Sequence, residues 1–426
     1  MLAEELLALT LKKGISTAEV YQVNSYARPF SFEANRLKQI ESSRTSGIAL
    51  RLWHNGCPGL VVAYGHFNPE DLIAKAIAVS QLNEPEEVFL NDRAKLLYLD
   101  DSTEPDVKLL ITQGQNAIEQ IISQYPDVIV NLDLEWETET TTLINSNGLY
   151  CQQTDNSYSA SLGVELVREE DFLGIYDGVY SHQPVNLTPT IETIMKKLQW
   201  AKKNVPLQKG KMPVLFTPNA VVTLWETVCE ALNGKKILDK SSPWSEYLGK
   251  AVIASCLNLR QLPDLKPYHC PFDDEGTITQ SINLIENGNL TSFYTDKKTA
   301  QKLGITNTGN GFRPSLGNYP TPDLINLVVD KGNYSFEELV KKMENGIIID
   351  QILGSGGDIS GDFSFNIDLG YRVQQGEIVG RVKDTMTAGN VYQALQNVSL
   401  LGFERIWSGS CYTPSVVIEE LSVISG

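Results

Sequence analysis

Three of the six Asn-Gly pairs, Asn55-Gly56, Asn147-Gly148 and Asn287-Gly288, each stand beside short runs of alternating apolar and polar residues. Asn-Gly favours the positive dihedrals of a tight hairpin turn, so these pairs commit much of the chain to antiparallel strands. Leu37 to Ser43, Gly47 to Trp53 and Gly59 to Tyr64 read as strands, the last two joined across His54-Asn55-Gly56. Around the second pair, strands are expected at Val128 to Glu137, Thr140 to Asn145, Leu149 to Thr154 and Tyr158 to Val167.

Helical periodicity separates these runs. Met1 to Lys13 places Leu2, Leu6, Leu7 and Leu9 among charges, an amphipathic helix lacking the basic start and apolar run of a signal peptide. Asn68-Pro69-Glu70-Asp71 starts a second helix to about Leu82, with a capping side chain, a proline in the first turn and acids at the positive end of the dipole. Glu84 to Pro105 is polar and contains prolines, which reads as a linker. Further helices are expected at Val107 to Gln124 and Thr188 to Lys203. Pro213 to Phe216 then reads as a buried strand, and Thr217-Pro218-Asn219 opens a helix running to about Leu232 and ended by Gly234. After Ser255 the chain becomes glycine-rich, with alternating runs at Thr277 to Ile285, Leu324 to Val329, Ser364 to Arg372 and Ser415 to Ile424. Only Ser335 to Met343 and Ala388 to Val398 read as helices there.

The fold class expected is α+β: an N-terminal mixed region with antiparallel strands, then a curved, mostly antiparallel β-rich domain. The divisions fall at 1–105, at 106–207 packing with the first, and at 208–426. A length of 426 residues suits two or three domains.

No run approaches the roughly 18 unbroken apolar residues of a membrane helix, and a cytoplasmic location is expected. Lys and Arg number 35 against 52 Asp and Glu, a formal charge of −17 with no basic cluster. A body so acidic repels the DNA backbone, which is bound by displacing counterions with Lys and Arg. Direct nucleic-acid binding is therefore not expected. The six cysteines, Cys57, Cys151, Cys229, Cys256, Cys270 and Cys411, form no Cys-x-x-Cys pair and read as reduced core residues.

The candidate chemistry is concentrated late in the chain. Asp273-Asp274-Glu275-Gly276 could serve acid–base work or hold a divalent ion. The competing reading is a turn in which Asp accepts backbone N–H bonds, and it is favoured because no partner base can be identified. Gly354-Ser355-Gly356-Gly357-Asp358 lacks the Gly-Lys-Ser/Thr ending of a phosphate loop. Such glycines more often mark close backbone approach. An extended peptide could add as a strand there, which nominates Gly354, Gly356, Gly357, Asp358, Gly361 and Phe363 for peptide binding. His54-x-x-Cys57 has ligand-like spacing but straddles a hairpin turn, and the adjacent His269 and Cys270 point apart in an extended segment. A surface His beside a core thiol is the plainer reading of the first pair.

The order of motifs in the last region resembles one family, the TldD/TldE (PmbA) proteins, once labelled modulators of DNA gyrase. The resemblance rests on Leu238-Asp239-Lys240-Ser241-Ser242, Leu248-Gly249-Lys250, the Phe272 to Gly276 box and the turn at Thr308-Gly309-Asn310. Gly361-Asp362-Phe363-Ser364, Gly376-Glu377-Ile378, Thr387-Ala388-Gly389-Asn390 and Pro414-Ser415-Val416-Val417-Ile418 extend it, and Gly47-Ile48-Ala49-Leu50-Arg51 is similar to the family's opening. It assigns no role to the box at Asp273, Asp274, Glu275 and Gly276 or to the turn at Thr308, Gly309 and Asn310.

The resemblance implies two kinds of subunit. The protease kind carries His-Glu-x-x-x-His on the helix that here reads Val221 to Glu230, which has no histidine. Two imidazoles on one helical face hold zinc there, and a carboxylate activates water. Glu226 alone reads as a solvated helical residue. Cys411 lies near the family's C-terminal cysteine ligand but closer to Pro414 than that ligand lies. The resemblance thus implies the companion subunit: no catalytic residue, metal or cofactor of its own, zinc in a TldD-like partner, and unfolded peptide as substrate. A homodimeric peptide-binding or chaperone-like protein, and a peptidase recruiting a metal at Glu226 or at Asp273-Asp274-Glu275, are the alternatives.

Overall fold

The computed structural model describes residues 2–100, 104–168, 171–354 and 358–425. Its N-terminal half runs α1 (Ala3–Lys12), β1 (Thr17–Glu33), β2 (Arg36–Ile40), β3 (Ser43–His54), β4 (Cys57–Tyr64), α2 (Pro69–Ser80), β5 (Lys95–Leu99) and α3 (Val107–Gln124). It continues through β6 (Ile129–Asn145), β7 (Tyr150–Arg168), β8 (Asp171–Ser181) and α4 (Thr188–Trp200). The strands form one sheet in the order β4-β3-β1-β6-β7-β5, with β2 on β1 and β8 on β7.

The expected hairpin at Asn55-Gly56 is present, with φ of 54° and 80° at its two central residues and Trp53 opposite Pro58. The second pair closes the β6–β7 hairpin, where Ile144 faces Tyr150. Alternation decides which face is buried. Val130, Leu132, Leu134 and Trp136 of β6 pack with Tyr158, Ala160 and Leu162 of β7 under α3 and α4. Asp133, Glu135, Glu137 and Glu139 take the intervening positions.

Several expectations need correction. The four segments expected between Val128 and Val167 are two long strands, because the threonine-rich run Thr138–Thr142 stays paired on both sides. The linker expected at Glu84 to Pro105 contains β5, which pairs in parallel with β7 from Lys95–Tyr150 to Leu99–Thr154. β1 and β8 went unread because polar residues and glycines interrupt their alternation.

The C-terminal half contains β9 (Gly210–Phe216), α5 (Pro218–Leu232), α6 (Gly234–Leu238), β10 (Leu259–Gln261), β11 (Ile282–Glu286), β12 (Asn289–Leu290) and α7 (Lys297–Leu303). Then come β13 (Gly311–Phe312), β14 (Thr321–Pro322), β15 (Leu327–Val329), α8 (Phe336–Met343), β16 (Gly346–Leu353) and β17 (Asp362–Gln374). The half ends with β18 (Glu377–Val382), β19 (Thr385–Asn390), α9 (Val391–Gln396), β20 (Val398–Ser408) and β21 (Cys411–Ser425). Strands β21, β19, β17, β16 and β9 follow one another, and β9 pairs again with β21, so the five close into a barrel. Two contacts in this sheet are parallel, β9 with β16 and β15 with β21.

α7 was not expected, and Ala388–Asn390 belongs to β19 rather than to the helix after it. Gly234 does not end α5; Asn233 does, and its side chain accepts from Lys235 N to start α6. The barrel joins two cores through strand periodicity. Val214 and Phe216 of β9, Ile347 and Ile349 of β16, and Val416 and Ile418 of β21 pack with α5. The residues between them, Leu215, Ile348 and Val417, pack with the N-terminal half. Among the described residues no helix is long and apolar enough to cross a membrane.

Candidate functional site

The box after Phe272 is a clamp between the two halves. Asp273, 1% exposed, accepts from Glu275 N at 3.0 Å and Thr277 N at 2.8 Å through one oxygen, and from Gly311 N at 2.8 Å through the other. Asp274 reaches the first strand: Tyr21 donates its hydroxyl at 2.9 Å and Arg313 its backbone N–H at 2.8 Å. Glu275 accepts from Lys297 N at the start of α7, at 2.9 Å. Asn91, in the segment expected to be a linker, donates to Glu275 O at 2.7 Å and accepts from Lys297 Nζ at 2.6 Å. Gly276, at φ 75°, lies so close to Leu149 that an added Cβ would sit 2.6 Å from it. Burial pushes all three carboxyls up, with Glu275 opposing ionisation of Asp273 as a second cause. Their lone pairs are directed at backbone N–H groups, which suits holding two domains together better than moving protons.

The turn at Thr308 to Asn310 locks the same region. Thr308 accepts from Thr295 N at 2.7 Å, and Asn310 donates to Gln261 Oε1 and to Asp323 O, both at 2.7 Å. Gly309 has φ 70°, and a Cβ there would lie 2.5 Å from the carbonyl oxygen of Ile278.

The nominated peptide segment lies elsewhere, on the β16–β17 connection. Gly354 ends the β16 run, Asp358 is exposed, and Gly361 accepts from Val391 N just before β17. Phe363 is buried and stacks on Phe365 at 4.6 Å. Gly356 and Gly357 lie outside the described residues. β17 is paired with β19 from Asp362 to Ile367, whereas pairing with β16 begins only at Asn366 opposite Leu353. Among the described residues Asp362 to Phe365 therefore have strand pairing on one side alone.

Helix α5 carries no histidine. Trp225 is buried in the core and donates Nε1–H to Thr413 at 3.0 Å, while Glu226 is exposed. Cys411 is buried, and burial raises its thiol well above the ordinary range. Among the described residues no group of three or more His, Cys, Asp or Glu converges as a metal site. His269 instead packs on Tyr98 at 4.5 Å, with Nδ1 3.1 Å from Pro263 O. Cys57 is 3.9 Å from its neighbour's carbonyl at Asn55.

A cleft that sequence reasoning missed lies where the halves meet, beside the start of α5. Its volume is about 590 Å³, and its walls include Asp177, Lys197, Trp200, Thr217, Asp350 and Trp407. Lys197 and Asp350 form an ion pair at 2.7 Å with side chains 6% and 3% exposed. Lys197 falls inside the helix expected at Thr188 to Lys203; a lone charge on that helix's apolar face, beside Ile191, Ile194 and Leu198, was the available signal.

Comparisons with known proteins agree with this architecture. The model of the PmbA/TldA metallopeptidase C-terminal domain matches residues 209–425, and that of the family's domain 1 matches residues 18–80. A metalloprotease of Methanothermobacter thermautotrophicus is 30% identical over 213 residues, covering 49% of this chain and 47% of that protein. The chain thus spans about half of that relative. A Methanocaldococcus jannaschii protein is 24% identical over 439 residues, 98% of each chain. The crystal structure of TldE from Thermococcus kodakarensis superposes with a TM-score of 0.88 at 22% identity, covering 99% of each chain.

Proposed function

This chain belongs to the PmbA/TldD metallopeptidase family, and we propose that within it the chain is a TldE-like subunit without a metal, partnered by a TldD-like zinc protease subunit. One observation carries the reading. The helix that would bear the zinc motif, α5, has a buried Trp225 bonded to Thr413 and no histidine from Val221 to Glu230. A hydroxide-generating metal needs open coordination held by imidazole, thiolate or carboxylate. With no such set on α5, the chemistry is assigned to the partner.

The contribution of this subunit is then a wall of the chamber in which unfolded peptide is cut. The clamp at Asp273 to Gly276 supports that role, since it ties the C-terminal half to β1. The strand at Asp362 to Phe365, paired on one side among the described residues, offers main-chain bonds to an extended peptide, a mode indifferent to sequence. The fold shared with the Thermococcus TldE is consistent with the assignment.

Purification of the tagged chain from its own host tests the pairing. A stoichiometric second chain bearing His-Glu-x-x-x-His is expected. Recovery of the chain only with itself, binding unfolded peptide as a homodimer, would contradict it.

A further inference from the structure

We propose that the cleft beside α5 captures the free amino terminus of a peptide, seating its ammonium on Asp177 and its first side chain, a large apolar one, against Trp200 and Trp407. The proposal deepens the peptide-handling reading above and rests on it.

Charge balance gives the first argument. Lys197 and Asp350 neutralise each other across 2.7 Å in the floor of the cleft. Asp177 stands beside them as a second carboxylate, accepting among the described residues from neutral groups: Gly178 N at 3.0 Å and the side chain of Asn219. Of the other charges at the rim, Lys196 is paired with Glu337 at 2.8 Å, and Arg405, which donates to Val329 O at 3.2 Å, is balanced in the lining by the carboxylate of its neighbour Glu404. The cleft therefore holds one negative charge in excess, and a compact ammonium would complete it. Burial pushes the Asp177 carboxyl up, although Lys197 lowers it, which is the cost an incoming cation relieves.

The second argument is a buried hydroxyl. Thr217, 7% exposed, lines the cleft at the first turn of α5, and its Oγ1 has no hydrogen-bond partner among the described residues. It does not cap its helix. A buried hydroxyl without a partner is costly, and a peptide carbonyl next to the ammonium would satisfy it.

The third is the open edge of β8, which among the described residues pairs only with β7. Gln351 extends its amide to that edge as a neighbouring strand would, accepting from Tyr176 N at 2.8 Å and donating to Gly174 O at 3.3 Å. Asp177 to Tyr180 continue the same edge along the cleft. An extended chain leaving Asp177 can follow it.

Titration of the full-length chain with Phe-Ala-Gly-Ser-Gly, followed by tryptophan fluorescence and calorimetry, tests this. The free peptide should bind at least about tenfold tighter than its N-acetyl form, the order of one charge-assisted contact. Asp177→Asn should abolish that preference, and Thr217→Val should weaken the free peptide several-fold. Equal binding of free and acetylated peptide, binding by neither, or a preference surviving Asp177→Asn would overturn the proposal. So would equally tight binding of an N-acetyl peptide carrying lysine, which would assign the cleft to side-chain amines. The comparison on the unmodified chain decides even where a variant misfolds. A chain that lacks the preference yet supports cleavage with a partner sinks this inference alone; the preference without a partner sinks only the pairing.

Discussion

Replacing Asp273 tests whether the acidic box is a fastener or a catalyst. In the folded chain its carboxylate satisfies three backbone N–H groups, those of Glu275, Thr277 and Gly311, and the residue is 1% exposed. Asp273→Ala leaves all three without that acceptor, and each unsatisfied buried donor costs about 1–2 kcal/mol. Removing a charge that burial and Glu275 already disfavour offsets part of the loss. The net expectation is a destabilisation of about 3 kcal/mol. Asp273→Asn keeps one oxygen for Glu275 and Thr277 but turns an N–H toward Gly311, so about 1–2 kcal/mol is expected. Urea unfolding at neutral pH, followed by tryptophan fluorescence, measures both. An Ala variant within about 0.5 kcal/mol of the parent, or an Asn variant as unstable as the Ala variant, would refute the reasoning.

Burial holds Glu275 up to about 7 against an ordinary value of 4.5. The folded chain therefore keeps a proton that the unfolded chain has released across that window, and this site's contribution to stability falls as pH rises through it. Glu275→Gln should flatten the stability profile between those limits, by at most ~3 kcal/mol, as measured by unfolding at a series of pH values. Lys197→Met strands the Asp350 carboxylate in the core and should cost about 3–5 kcal/mol in urea unfolding, much of it recovered when Asp350→Leu is added.

Hairpins and capped helices were legible because local chemistry dictates them. Asn55-Gly56 fixes its own turn, and Asn68 caps α2 by accepting from Glu70 and Asp71. The barrel was legible only as alternation: its closure depends on β9 meeting both β16 and β21, neighbours far apart in sequence. β5 was hidden because Lys95 to Leu99 is short and its partner comes more than fifty residues later, at Tyr150 to Thr154. At the box, a turn stabilised by Asp273 was readable from Asp before glycine. That Asp274 would meet Tyr21, across 253 positions, was not. The cleft was unreadable for the same reason, since Asp177, Lys197 and Asp350 come from three separate elements.

Whether this chain completes a metalloprotease without supplying its metal is measured most directly by cleavage of an unfolded peptide by the isolated chain, by a TldD-like partner, and by the two together. Cleavage by the mixture alone is predicted, abolished by chelation or by changing the partner's motif glutamate to glutamine, and nearly unchanged by Glu226→Gln here. Chelator-sensitive cleavage by the isolated chain, lost on Glu226→Gln, would contradict it.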